Sequence, residues 1–453
     1  MKTRNLLSTL SVLALTVLVL AGCKPNHKAT AVTYQLPETA DVVLYQVNPR
    51  VFASSNSLRA VTERLDSIQE MGANMIWIMP IYPIGEEKSK NSPYSIRDYK
   101  AIAPEFGTID DLKELIEGAH ERGMGVILDW VANHTAWDNV WLKDQGHTDW
   151  YTHDSLGNIV YPPQTDWTDV ADLNYDNKDM RAAMIDAMKY WVKEVGVDGF
   201  RCDVADAVPA DFWKEAISQL RKAAGSRKLL MLAEGKNPDN FTAGFNMNYA
   251  WDYLHELEEV FSHGARADVL FTADSTEYAS IPRGKMKMRF TTNHDESAKN
   301  SPITNFGNER GSMAAFVAAI MMHGGPLIYG SQEVGYPRPI NFFNYVNVDW
   351  SAKPELRDEY RMLMGIYNHY VDLFNINAEV IAHPDKDILM IERRNRTSEA
   401  LVLVNVRKEH HEIELPTNWR NSTPTDVCTG NVDAIATQLN LQPYQYRILV
   451  KSR

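Results

Sequence analysis

The sequence predicts a (β/α)8 TIM barrel with a small inserted domain and a C-terminal antiparallel β-sandwich domain. Three observations predict it. Short apolar runs alternate with helical patterns through residues 41–377, and eight such repeats close a parallel sheet into a barrel. Residues 131–176 interrupt the alternation with a stretch rich in Trp, Asp, His and Pro. From residue 378 to 453 the apolar period shortens to two, the mark of antiparallel strands.

The chain starts with a segment set apart from the barrel. Lys2 and Arg4 precede an apolar run from Leu6 to Leu20, too short for a comfortable membrane span. The run ends in Leu20-Ala21-Gly22-Cys23, which resembles a bacterial lipobox. That resemblance implies a signal peptide over residues 1–22 and lipidation of Cys23. The polar residues of 23–40 then form a tether. An exported bacterial lipoprotein follows, membrane-anchored on a periplasmic or cell-surface face. The lipid would be its only membrane contact.

In the barrel, Val42–Val47 reads as the first strand, Asn56–Gly72 as an amphipathic helix and Asn74–Met79 as the second strand. The helix at Asp110–Arg122 places Leu112, Leu115, Ile116 and Ala119 on one face, with Thr108 and Asp111 suited to its N-terminal cap. Strand three follows at Val126–Leu128. The helix Lys178–Val195 carries Met180, Met184, Met188 and Trp191 as a buried stripe. Five further strands are placed at 199–201, 229–232, 245–248, 286–291 and 326–329. In the C-terminal module, 387–393 and 400–406 alternate around a turn at Asn395–Ser398, followed by strands at 412–415 and 446–450. His410 and His411 fall there and read as exposed strand residues.

Composition narrows the partners. The net charge of −13 becomes −15 without residues 1–22, which hold Lys2, Arg4 and no acid. An acidic surface repels nucleic acid, so a neutral substrate fits better. Eleven Trp and twenty Tyr offer stacking faces for sugars, although most such side chains serve a core. Cys202 and Cys428 are too few and too distant for a disulfide framework. Cys202 lies between Arg201 and Asp203, so on a strand it faces away from both, into packing.

The chemistry lies at strand ends. Asp129, Asp203, Glu234 and Asp295 fall at the carboxyl ends of the third, fourth, fifth and seventh predicted strands, where a barrel's active site sits. Any one of them alone reads as a surface or capping carboxylate; four in order do not. Arg201 and Asp203 project to one face, and the guanidinium is expected to depress the Asp203 pKa and keep it ionised as a nucleophile. Glu234 is on the adjacent strand, about 4.8 Å away. Retaining glycosidases hold their carboxyl groups roughly 5–5.5 Å apart and inverting ones about 6.5–9.5 Å, so retention is expected. Crowding by Asp203 and Asp295 is expected to raise Glu234, making it the general acid and base. Asp295, with His294 beside it, can hold the ring hydroxyls.

These segments resemble the α-amylase family of glycoside hydrolases over nearly the whole chain. DWVANH, ending at His134, is similar to the family's third-strand motif. GFRCD, ending at Asp203, matches the fourth, Glu234 the fifth and TTNHD, ending at Asp295, the seventh. GANMIWIMP and GGPLIYGSQE resemble the second- and eighth-strand motifs, SPYSIRDY the segment after the second strand, and VADLN the inserted domain's motif. The resemblance implies Asp203 as nucleophile, Glu234 as proton donor and Asp295 as transition-state stabiliser. It implies sugar contacts from Tyr94, His134, Arg201 and His294. It also implies a structural calcium held by Asn133 and Asp172, with no cofactor in the chemistry itself. Ala207 stands where many relatives have a His whose carbonyl ligates that ion, and Asn133 can equally serve as a hydrogen-bonding anchor for the insert. The expected activity is hydrolysis of α-1,4-glucosidic bonds in starch, glycogen or maltooligosaccharides, by way of a covalent glycosyl-Asp intermediate. An α-glucosidase, cyclodextrinase or transglycosylase on the same scaffold is the second reading, and a non-catalytic glucan-binding lipoprotein the third. Chain-length preference and oligomeric state are not legible in the sequence.

Overall fold

A computed structural model describes residues 34–432 and 434–453. The lipobox, Cys23 and the tether up to residue 33 lie outside the described residues. Eight strands close a parallel barrel: β1 Leu44–Val47, β2 Met75–Ile78, β3 Gly125–Trp130, β4 Gly199–Cys202, β5 Leu230–Ala233, β6 Met247–Tyr249, β7 Met286–Arg289 and β8 Gly325–Tyr329. Each pairs with the next, and β8 returns to β1 through Leu44 opposite Leu327.

Strand parity divides the core into two layers. Leu44, Met75, Trp77, Ile127, Leu230, Leu232, Met247, Met286, Met288 and Leu327 fill the barrel interior. Their neighbours Tyr45, Ile76, Ile78, Val126, Leu128, Phe200, Cys202 and Met231 face the surrounding helices. Successive side chains point to opposite faces, so every inward residue is flanked by outward ones.

The helix at Ile109–Glu121 starts with a capping box. Thr108 Oγ1 accepts from Asp111 N, and the Asp111 carboxylate accepts from Thr108 N. Met180, Met184, Met188 and Trp191 are all buried, as their spacing predicts. One expected element differs. The helix placed over 56–72 is two helices, Ser57–Thr62 and Leu65–Glu70, broken at Glu63–Arg64. Arg64 leaves helical geometry and lays its guanidinium 4.4 Å above the Trp350 ring.

Between β3 and the helix Lys178–Tyr190, the chain makes its excursion around a two-stranded antiparallel ribbon, His134–Ala136 against Val170–Asp172. The C-terminal module is a six-stranded antiparallel sheet with a separate ribbon, His411–Glu414 against Gln438–Leu441. Leu401, Leu403, Ile413, Trp419 and Leu441 fill the space between them. Buried Arg393 ties the module to the barrel's last helices through the carbonyls of Leu373 and Phe374. His410 is exposed as expected. His411 is half-buried, with Nδ1 3.8 Å from Asp387.

Candidate active site

Inward parity carries the functional groups to the barrel mouth. Ile127 faces inward, so Asp129 does too; Leu230 and Leu232 face inward, so Glu234 follows them. Register pairs Cys202 with Ala233, which sets Asp203 and Glu234 side by side just beyond it. Backbone bonds hold both there, Asp203 N to Trp130 O and Glu234 N to Cys202 O, each 2.9 Å. Asp295 opens the short helix His294–Lys299, whose first turn is capped by Asn293 Oδ1 accepting from Glu296 N.

Arg201 organises three of the acids. Its Nη1 donates to Asp129 Oδ1 at 2.8 Å and to Asp203 Oδ1 at 2.9 Å. Its Nη2 stands 2.9 Å from Glu234 Oε2, close enough for an ionic contact but without the alignment of a hydrogen bond. Nε donates to the Tyr249 hydroxyl. The side chain has no exposed surface. Arg201 therefore lies beneath the cleft floor, where the sequence placed it against the sugar.

One cation serves three carboxylates, and the protonation follows. Burial raises the Asp203 carboxyl well above its ordinary value; Arg201 opposes this, while Glu234, Asp129 and Asp295 add to it. That reverses the expectation of a depressed Asp203, because burial outweighs the guanidinium and the neighbouring acids add to it. Burial, against Arg201, pushes Asp129 up to about 6, and burial also raises Asp295. Groups this close exchange protons as a unit rather than one by one.

The histidines are held neutral. His294 Nδ1 is 2.8 Å from Gln46 Nε2, and its Nε2 is 2.6 Å from the Tyr94 hydroxyl. Tyr94 in turn donates to Asp129 Oδ2 at 3.2 Å, and Trp77 Nε1 donates to the same oxygen at 3.1 Å. Burial, then Arg201, keeps His294 well below its usual value; burial brings His134 down to about 4.

Tyr94, His134, Asp203, Glu234, His294 and Asp295 all line one cleft of about 380 Å³. Lys90, Trp167, Asp169, Phe342 and Phe343 line it too, and sequence reasoning did not assign them to the site. Only Trp167 left a signal, as one of the aromatics in the excursion; a Phe pair in the otherwise polar 341–344 stretch was available and unused. Arg50, just past β1, fixes that pair by donating from Nη1 to Phe343 O at 2.8 Å and Asn91 O at 3.0 Å.

Asn133 and Asp172 both sit at the root of the ribbon, Asp172 opposite His134 and Asn133 one residue before it. Asn133 commits its amide nitrogen to His134 Nδ1, leaving its oxygen available as a metal ligand. Burial raises the Asp172 carboxyl, and among the described residues it forms no ion pair. Two such oxygens fit part of a calcium shell of six to eight. Among the described residues no three His, Cys, Asp or Glu side chains converge to hold a metal by themselves.

The alpha-amylase catalytic-domain family matches residues 46–364 of this chain. The alpha-amylase MalA of Haloarcula japonica is 29 % identical over 414 residues, covering 88 % of this chain and 60 % of that protein. A probable oligo-1,6-glucosidase 2 of Bacillus subtilis is 32 % identical over 262 residues, covering 49 % of this chain and 43 % of its own. The chain thus spans at most 60 % of the length of these two relatives. Among solved structures, a noncanonic maltogenic alpha-amylase, AmyB from Thermotoga neapolitana, superposes with a TM-score of 0.82 at 27 % identity, covering 92 % of this chain and 100 % of that one.

Proposed function

From the premise that the chain belongs to the alpha-amylase family of glycoside hydrolases, we propose that it hydrolyses α-1,4-glucosidic bonds in starch, glycogen or maltooligosaccharides with retention of configuration. In the microstate of the cluster that leaves Asp203 ionised and Glu234 protonated, Asp203 attacks the anomeric carbon while Glu234 protonates the departing glycosidic oxygen, so a glycosyl ester forms as the sugar bond breaks. Glu234, now a carboxylate, takes a proton from water, whose oxygen attacks the same carbon and releases Asp203. Asp295 and the neutral His134 and His294 hold the ring hydroxyls, and Tyr94 offers its ring to the sugar face.

The observation that carries this reading is the placement of Asp203, Glu234 and Asp295 around one cleft above a shared guanidinium. The test is maltoheptaose hydrolysis followed by proton NMR of the first products, with Asp203→Asn as control. The α-anomer should emerge first; a β-anomer would overturn retention. Products longer than the substrate would mark a transglycosylase.

A second reading is cleavage of α-1,6 bonds, favoured by the likeness to a probable oligo-1,6-glucosidase. Comparing rates on maltotriose and isomaltotriose separates the two. Export as a lipoprotein anchored through Cys23 belongs to the same proposal, and labelling with a palmitate analogue that survived Cys23→Ser would remove it. Calcium, if bound, would sit at Asn133 and Asp172 and brace the ribbon. A melting temperature unchanged by chelator would refute that site.

A further inference from the structure

The turn after Asp203 is laced to the segment after Glu234. Val204 is left-handed (φ 35°, ψ 47°), rare for a β-branched residue, and this aims its backbone N–H at Glu234 Oε2, 2.7 Å away. Ala205 N donates to Glu234 O at 2.9 Å. Asp206 reaches one step further. Its Oδ2 accepts from the backbone N–H groups of Lys236 (2.9 Å) and Asn237 (3.2 Å), and its Oδ1 accepts from Asn240 Nδ2 (2.8 Å). The approach is so close that a Cβ on Gly235 would stand 2.2 Å from Asp206 Oδ1. Position 235 therefore has to be glycine for Asp206 to dock.

We propose that Asp206 is a positioning residue for the proton donor: by clamping residues 236–240 to the turn that follows the nucleophile, it sets the reach of Glu234 toward the glycosidic oxygen. The inference rests on the reading of Glu234 as general acid given above. Asp206 does not line the cleft, so it acts through the segments it joins and not by touching substrate. It is exposed, and so are Lys236 and Asn237, whose N–H groups would turn to water if the carboxylate were lost. Loss of Asp206 therefore strands only the buried Asn240 amide, a local cost, and loosens the acid. Small displacements of a catalytic group carry large rate penalties, which makes so modest a clamp consequential.

A merely structural role would slow every substrate alike; a loosened proton donor slows only those whose leaving group needs a proton. Maltoheptaose has such a leaving group, and α-maltosyl fluoride does not. In the full-length protein, Asp206→Ala should lower kcat/KM on maltoheptaose ~30-fold and on the fluoride less than ~3-fold. Asp206→Asn, which keeps an acceptor oxygen, should recover much of the loss. Gly235→Ala, which pushes Asp206 off its partners, should reproduce the split. Equal losses on both substrates, or none on either, would overturn the inference. If the wild type turned over neither substrate, the functional reading would fall instead.

Discussion

Two buried arginines on this barrel do opposite things. Arg201 on β4 points to the barrel interior; Arg289 on β7 points outward among the helices. Arg289 Nη2 meets Asp274 at 2.7 Å, its Nη1 meets Glu277 at 2.6 Å, and its Nε donates to His323 O at 2.7 Å. His323 Nδ1 adds a contact to Asp274 at 2.8 Å, and the Tyr253 ring lies 3.9 Å from the guanidinium. Every arm is used. Burial alone would raise the Asp274 carboxyl, yet the His323 hydrogen bond and Arg289 outweigh it and hold the group below its ordinary value. Around Arg201 the balance goes the other way: three acids share one cation, Nη2 lacks a directed bond, and Asp129 and Asp203 are pushed up. A saturated buried ion cluster belongs to the fold. A buried cluster with more acid than base stores strain where chemistry happens.

Substitution of one acid in each cluster separates the two cases most widely. Asp203→Asn should reduce kcat on maltoheptaose by at least ~10⁴-fold, since removing a nucleophile removes the whole covalent route. The same change should leave the melting temperature at pH 7 equal or higher, because it relieves the crowding of acids around one guanidinium. Asp274→Asn should do the reverse. Breaking a buried pair from one side costs ~3–5 kcal/mol, measurable by urea denaturation, while kcat at a temperature where the variant is folded should stay within ~2-fold. If Asp203→Asn lost stability as Asp274→Asn does, the distinction between the clusters would be wrong.

Arg201→Lys sharpens the comparison. A lysine brings one compact charge where the planar fork spans Asp129, Asp203 and Glu234. kcat should fall about 10²-fold through misplacement of the two reacting carboxyls. KM should move far less, because the Arg201 side chain has no exposed surface and does not line the cleft. A KM rise matching the kcat fall would put the guanidinium in contact with substrate after all.

The two clusters also differ in how legible they were. The Arg201 site announced itself, since Asp129, Arg201, Asp203, Glu234 and Asp295 lie within a few residues of strand ends and strand parity does the rest. Strands such as Met75–Ile78 and Leu230–Ala233 were legible because a buried parallel strand tends to be an unbroken apolar run. Arg289, Asp274 and Glu277 left no such mark: two of the three ride on the helix Val269–Tyr278, and nothing local ties that helix to β7. The cleft walls were illegible for the same reason. Lys90, Trp167 and Phe343 come from three loops far apart in sequence, and only tertiary docking, such as Arg50 holding the Phe343 carbonyl, brings them to one rim. The break at Glu63–Arg64 escaped notice because Leu58, Val61, Leu65 and Ile68 keep helical spacing straight across it. The raised Asp203 carboxyl was not legible either, because its main cause is burial, which a local Arg-Cys-Asp spacing does not reveal.

Acidification gives the smallest effect and tests whether the overloaded site governs stability. Burial, then Arg201, keeps His294 neutral in the native protein, while its ordinary value is 6.5. Below that pH the unfolded chain takes up a proton that the native site refuses, so this contribution to stability is present above 6.5 and lost as pH falls. The raised carboxyls work in the opposite sense. Native Asp129 keeps a proton up to about 6 that the unfolded chain releases near 3.8, so its contribution is present at low pH and lost as pH rises toward 6. Between pH 4 and 6 the two trends oppose each other in the wild type. His294→Gln removes the first and leaves the second, so its stability relative to wild type should improve on acidification, by up to about 1.4 kcal/mol per pH unit below 6.5. The lost contacts to Gln46 and Tyr94 only offset the curve; its slope is the diagnostic. Parallel stability curves for the two proteins from pH 7 to 5 would mean that His294 is protonated in the folded site, and that the acids above Arg201 have enough counter-charge after all.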